Sequence, residues 1–299
     1  MAEKSCSSTG CTKESCAGCP SAKGAQKPQN MLAPANPKSH IHKVIGVVSG
    51  KGGVGKSTSA FNLGACLALK QGKRVLLADI DPQANLSEYL GYEPDGLPTM
   101  TQLVMTACTG GQLTPDIVRT AIRHCESADV DYIPADINLA NSETLMSTAL
   151  SRETILRRIL SEENVKGYDF IIIDCLPSLS TLLINALTAA DKVLIPVQTQ
   201  KFSLDGLQAL DNLYQQIKGA INPKLSMLGV LPTMVDRTKV SRESLAELNE
   251  KYGEMVFETS ISKSVEAAKS SVSRVPLCMT DSKLGTEYER LAMEVLERC

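Results

Sequence analysis

Gly50-Lys51-Gly52-Gly53-Val54-Gly55-Lys56-Ser57-Thr58 follows an apolar, β-branched run at 44–48 and opens a stretch of helical periodicity predicted over 57–70. From Gly50 to Ser57 the spacing is G-x-x-x-x-G-K-[ST], and a strand before it with a helix after it is the context in which that spacing means a phosphate-binding loop. The glycines allow successive backbone N–H groups to turn inward on an anion, and the helix N-terminus adds partial positive charge. In such a loop Lys56 is expected to reach the β- and γ-phosphates of a nucleotide, and the Ser57 hydroxyl to serve a Mg²⁺ ion.

Outward from this loop, short bounded apolar runs recur at 75–78, 170–173, 192–197 and 226–231, with helical periods at 143–160, 181–189 and 205–218. Runs apolar on both faces belong to a parallel sheet covered on both sides. Strands alternating with helices predict a doubly wound, mainly parallel α/β sheet flanked by helices, with ligands at the carboxyl ends of the strands. Two of those ends carry acids. Leu76-Leu77-Ala78-Asp79-Ile80-Asp81 places Asp79 and Asp81 on one side of a strand, where both are expected to face the phosphates. Ile171-Ile172-Ile173-Asp174 is an apolar strand ending in a carboxylate suited to hold Mg²⁺ directly or through water.

Composition bounds the rest. The 299 residues are 43% hydrophobic, enough for one large domain or two small ones. Lys and Arg number 31 against 33 Asp and Glu, which excludes a globally basic DNA coat but not a local basic patch. No apolar run approaches the ~20 residues of a membrane span, and the polar N-terminus does not read as a secretory signal. Ten cysteines in a chain of this length are too sparse for a disulfide scaffold and read as cytosolic thiols, some open to metal. The organisation expected is a tail and linker over 1–42 and an ATPase domain over 43–299. The tail is rich in Ser, Lys, Pro and Ala, and Pro28, Pro34 and Pro37 mark an extended linker.

Lys51 departs from an ordinary phosphate loop, and with it Lys-Gly-Gly-Val-Gly-Lys-Ser-Thr resembles the deviant P-loop of the ParA/MinD ATPases. The likeness to ParA (Soj-like) partition proteins spans about residues 43–296. It includes Asp81-Pro82-Gln83-Ala84-Asn85-Leu86, Pro196-Val197-Gln198-Thr199-Gln200 with Gly206-Leu207, and Leu231-Pro232-Thr233-Met234-Val235-Asp236-Arg237-Thr238. The resemblance implies a P-loop NTPase fold of the SIMIBI type. It implies nucleotide contacts from Gly50, Lys51, Gly52, Gly53, Val54, Gly55, Lys56, Ser57 and Thr58, with Pro177 in the switch and Thr233 and Met234 near the base. It also implies that Lys51 crosses an ATP-closed homodimer to the partner's phosphates, that Asp81 orients the attacking water, and that Asp79 lies near the metal and the dimer contact. Cys175-Leu176-Pro177 has Leu176 where the family's switch usually has its first proline, which should loosen the backbone there.

A ParA-like switch would bind DNA without sequence preference, respond to a ParB-like partner, and work in the cytoplasm on the nucleoid to move a chromosome, plasmid or other cargo. The basic residues available for phosphate contacts are Arg237, Lys239, Arg242, Lys263, Lys269 and Arg274, with Arg237 and Lys269 ranked first. MinD-like membrane binding is not expected, because the last helical stretch, 287–299, carries Glu287, Glu289, Glu294 and Glu297 against Arg290 and Arg298. A rival lies in Cys6, Cys11, Cys16 and Cys19, which resemble the tail of Mrp-type iron–sulfur carrier ATPases and are open either to a [4Fe–4S] cluster or Zn²⁺ or to being loose thiols. Against a carrier, Cys278 and Cys299 form no late Cys-x-x-Cys pair, and the middle and end of the chain read as ParA. A third reading is a regulatory ATPase that binds a protein partner but no DNA.

Overall fold

The computed structural model describes residues 43–200 and 204–299. The cysteines of the 1–42 segment therefore lie outside the described residues. The elements run β1 (Lys43–Val47), α1 (Lys56–Leu69), β2 (Val75–Asp79), α2 (Asn85–Tyr89), α3 (Met100–Cys108), α4 (Pro115–Thr120), β3 (Arg123–Cys125), β4 (Val130–Ile133) and α5 (Leu139–Thr148). They continue with α6 (Ile155–Ile159), β5 (Phe170–Asp174), α7 (Thr181–Ala189), β6 (Lys192–Gln198), α8 (Leu204–Ala220), β7 (Ser226–Thr233), α9 (Lys239–Tyr252), α10 (Glu266–Ser273) and α11 (Lys283–Arg298).

The strands form one sheet in the order β3-β4-β2-β5-β1-β6-β7. Every neighbouring pair is parallel except β3 with β4. The sheet has a core on each face, and this explains the continuous apolar strands. Ile171 and Ile173 of β5 point into the layer beneath α3, α5, α6 and α7, whereas Phe170 and Ile172 point into the layer beneath α1 and α11. α11 seals the second layer with Leu284, Tyr288, Leu291, Ala292 and Val295, a helical stripe buried largely against α1. Among the described residues no helix is long and apolar enough to cross a membrane.

The sequence suggested one helix over 143–160, and the structure corrects this. α5 stops at Thr148, Ser151 takes a left-handed φ of 51°, and a 3₁₀ turn at Arg152–Thr154 leads into α6. The break is stabilised from outside. Asn185 of α7 accepts from Leu156 N (3.1 Å) and donates to the Arg152 carbonyl (2.8 Å), satisfying groups that a continuous helix would have paired internally. The edge strand β3 and its neighbour β4 carried no strand signal in the sequence, because Arg123, His124 and Asp131 interrupt their apolar character.

Candidate active site at the carboxyl ends of the central strands

β5 lies between β2 and β1, so three chain segments meet at one edge of the sheet. In register, Asp79 stands opposite Asp174, and Val47 opposite Asp174 on the other side. Past Val47 the chain leaves the sheet. Gly53 and Gly55 adopt φ of 73° and 86°, a region closed to most side chains, and Gly55 caps α1. α1 has neither a side-chain cap nor an acid in its first turn, so its first N–H groups remain available to an anion.

The two lysines of the loop have opposite surroundings. Lys56 is 7% exposed, while Lys51 is exposed at the rim. Burial lowers the Lys56 pKa, opposed by the nearby carboxylates of Asp174 and Asp81. Asp174 is fully buried, and among the described residues neither of its carboxylate oxygens has a hydrogen-bond partner. Burial first, and Asp79 second, push its pKa well up. The Ser57 hydroxyl is near enough to favour the ionised form, yet it does not make a well-formed hydrogen bond to either oxygen. A buried carboxylate left without donors beside a helix-start hydroxyl is an oxygen donor set that fits Mg²⁺.

Asp79 and Asp81 turn out to do different things. Asp79 accepts from Ser87 N (2.9 Å), Ser87 Oγ (2.7 Å) and Asp81 N (3.0 Å), so its carboxylate is spent on holding α2 and the turn before it. Ser87 Oγ in turn accepts from Ala135 N (2.9 Å), which ties the end of β2 to the chain leaving β4. Burial raises the Asp79 pKa to about 6. Asp81 lies two residues beyond the strand, where alternation no longer fixes its side. It is buried, with one oxygen accepting from Gln83 N (2.9 Å).

In the switch segment, Pro177 faces the loop: a Cβ on Gly52 would meet its ring at 3.8 Å. Leu176 packs into the core, and burial pushes the adjacent Cys175 thiol well up. Ser57 and Thr58 are half-buried at the start of α1. Thr233 at the end of β7 is buried, and its hydroxyl donates to the Val54 carbonyl (2.9 Å) rather than standing open to a base. Met234 beside it has a left-handed φ of 52°. Gly206 of α8 was quoted in the sequence only as part of a likeness, yet its carbonyl lies 2.1 Å from where a Gly50 Cβ would be. No periodicity or spacing could reveal that contact, because it joins segments far apart in the chain.

A family profile described as an AAA domain matches residues 42–227. The sporulation initiation inhibitor protein Soj of Bacillus subtilis is 40% identical over 256 residues, covering 85% of this chain and 98% of Soj. The chain belongs to the ParA-type P-loop ATPases. The chromosome partitioning protein ParA of Caulobacter vibrioides is 35% identical over 261 residues, 86% of this chain and 94% of that protein. Among solved structures, cobyrinic acid a,c-diamide synthase from Mycobacterium smegmatis, with bound ATP analogue and magnesium, is similar with a TM-score of 0.72 at 32% identity, covering 86% of this chain and 95% of its own. As a ParA-type ATPase the chain is an ATP hydrolase, and the iron–sulfur carrier reading finds no counterpart among these relatives.

The six basic residues ranked for phosphate contacts, Arg237, Lys239, Arg242, Lys263, Lys269 and Arg274, are all exposed, but they differ in their ties. Lys239 pairs with Glu243 (3.4 Å), Lys263 donates to Gln200 (3.2 Å) and Arg274 lies 4.0 Å from Glu93. Arg237 precedes α9 and Lys269 lies on α10, each with its side chain in solvent.

Proposed function

We propose that this ATPase is a partition switch: ATP closes a homodimer, the dimer binds DNA without sequence preference, and hydrolysis stimulated by a ParB-like partner releases it. The observation that carries the reading is the pair of lysines on one loop, Lys56 buried against Asp174 and Asp81 and Lys51 exposed at the rim. Lys56 would meet the β- and γ-phosphates of its own nucleotide, and the partner's Lys51 would reach across. Backbone N–H groups from Gly50 to Thr58 would cradle the phosphates, with Pro177 closing over the loop at Gly52. Asp81 would orient the water that attacks the γ-phosphorus, and ADP would leave with its new charge balanced by the two lysines. Asp79 supports this arrangement through Ser87 rather than by touching substrate. Mg²⁺, when bound by Ser57 and Asp174, would neutralise charge on the phosphate oxygens.

Arg237 and Lys269 would contribute weak phosphate contacts that become useful once dimerisation doubles them. The protein would work in the cytoplasm on the nucleoid, as domain 43–299 carrying the 1–42 tail. For that tail, whose Cys6, Cys11, Cys16 and Cys19 lie outside the described residues, we propose a metal or [4Fe–4S] ligand set; metal analysis of anaerobically purified protein tests it.

The deciding experiment is binding to non-specific duplex DNA with Mg²⁺-ATP against Mg²⁺-ADP over a salt series, with oligomeric state measured alongside. Dimerisation and salt-sensitive binding with ATP alone are expected, with Lys51→Ala abolishing both while still binding nucleotide. A protein that binds ATP but no DNA in either state would sink the partition reading and leave an ATPase that regulates a protein partner.

A further inference from the structure

One buried side chain outside the loop is hydrogen-bonded to its backbone. Thr233, 2% exposed at the end of β7, reaches across 179 residues of sequence to donate its hydroxyl to Val54 O at 2.9 Å. Val54 is 4% exposed and sits between the two left-handed glycines, Gly53 and Gly55. The peptide between Val54 and Gly55 is trans, so its C=O and N–H point in opposite directions. Fixing the carbonyl on Thr233 therefore turns the Gly55 N–H the other way, out of the core. Flanking glycines make this peptide plane easy to rotate, so without the tether it would be poorly determined.

Thr233 is itself held. Its carbonyl accepts from Thr199 N at 3.2 Å, the Thr199 hydroxyl lies 2.7 Å from Ser241 Oγ, and that oxygen accepts from Asp236 N at 3.2 Å. Thr199 and Ser241 are buried too, at 0% and 1% exposure. The hydroxyl that grips the loop thus belongs to a fixed part of the sheet edge rather than to a mobile surface.

We propose that Thr233 is a positioning residue for phosphate binding: its hydroxyl sets the Val54–Gly55 peptide so that the Gly55 N–H is presented to the nucleotide phosphates. This rests on the reading that the loop holds the phosphates. It also separates Thr233 from the base contact that the sequence likeness implied, because a hydroxyl already donated to Val54 acts on any nucleotide alike.

The test is titration of the full-length protein with Mg²⁺-ADP and Mg²⁺-GDP for wild type, Thr233→Val and Thr233→Ser, with melting curves for all three. Thr233→Val keeps the shape and removes the donor, leaving the Val54 carbonyl without a partner. It is expected to weaken both nucleotides by the same factor, about five- to thirtyfold. Thr233→Ser is expected to stay within about threefold of wild type for both, because the donor remains. Unchanged affinity in Thr233→Val, or a serine variant as weak as the valine one, overturns the proposal. A loss confined to the adenine nucleotide also overturns it, since that would mean the hydroxyl reads the base. Should Thr233→Val fail to fold, Thr233→Cys carries the same comparison, because a thiol is a weak donor. A wild-type protein with no affinity for either nucleotide would instead remove the phosphate-loop reading beneath it.

Discussion

Asp174→Asn should make the nucleotide-free protein more stable and the enzyme nearly inactive. Asp174 is fully buried, with neither carboxylate oxygen hydrogen-bonded among the described residues and Asp79 opposite in register. Holding that carboxyl ionised, or protonating it at neutral pH, costs several kcal/mol, only partly offset by Lys56. A neutral amide in the same space still leaves polar atoms unpaired, at about 1–3 kcal/mol. The difference favours the amide by about 1–3 kcal/mol at neutral pH. For a domain of this size that is a rise of roughly 3–10 °C in melting temperature. Wild type should recover the deficit when loaded, since ligand at about a hundred times its Kd adds about 2.7 kcal/mol. In the variant, melting shifts with ADP should be the same in Mg²⁺ as in EDTA, and hydrolysis should fall roughly a hundredfold or more. The assay is urea and thermal unfolding with and without Mg²⁺-ADP, beside phosphate release. An asparagine variant less stable than wild type without nucleotide, or one that keeps its Mg²⁺-dependent shift and its rate, would refute the argument that these orphaned oxygens await a cation.

Three further outcomes follow from the same geometry. Gly50→Ala puts a Cβ 2.1 Å from the Gly206 carbonyl, whereas Gly206→Ala puts one 3.2 Å from the Gly50 carbonyl. The first should cost about 1–3 kcal/mol and most of the nucleotide affinity, the second distinctly less, and equal effects in paired melting and binding curves would contradict this. Asp79 holds its proton to about pH 6 when folded, against 3.8 as the ordinary value. Its contribution is whole below about pH 4 and is lost as pH rises toward 6, on the order of 3 kcal/mol. Wild-type stability minus that of Asp79→Asn should therefore fall across that window, and a flat or rising difference would be incompatible with the buried carboxyl. Asn185→Leu strands the Leu156 N–H and the Arg152 carbonyl, so chemical denaturation should show a loss of about 1–3 kcal/mol, whereas a neutral result would mean the α5–α6 break does not depend on that amide.

What the sequence determined by itself was whatever depends on neighbours along the chain. The loop from Gly50 to Thr58, the strand alternating into two buried faces at Phe170–Asp174, and the helix Thr181–Ala189 are set by spacing and period, and each lies where the residues indicate. The same holds for Asp174, because a strand with no polar residue before its last position can only deliver that carboxylate to the sheet's edge. The tertiary structure decided what depends on segments brought together across it. Asp79 and Asp81, alike on paper, were separated by Ser87, which claims one of them. The Thr233 hydroxyl was given to the Val54 carbonyl, and the helix read over 143–160 was broken where Asn185 offers its amide. A hydrogen bond between residues 179 positions apart leaves no periodic trace in either segment, since the buried donor and acceptor select each other only after the sheet has placed them within 3 Å.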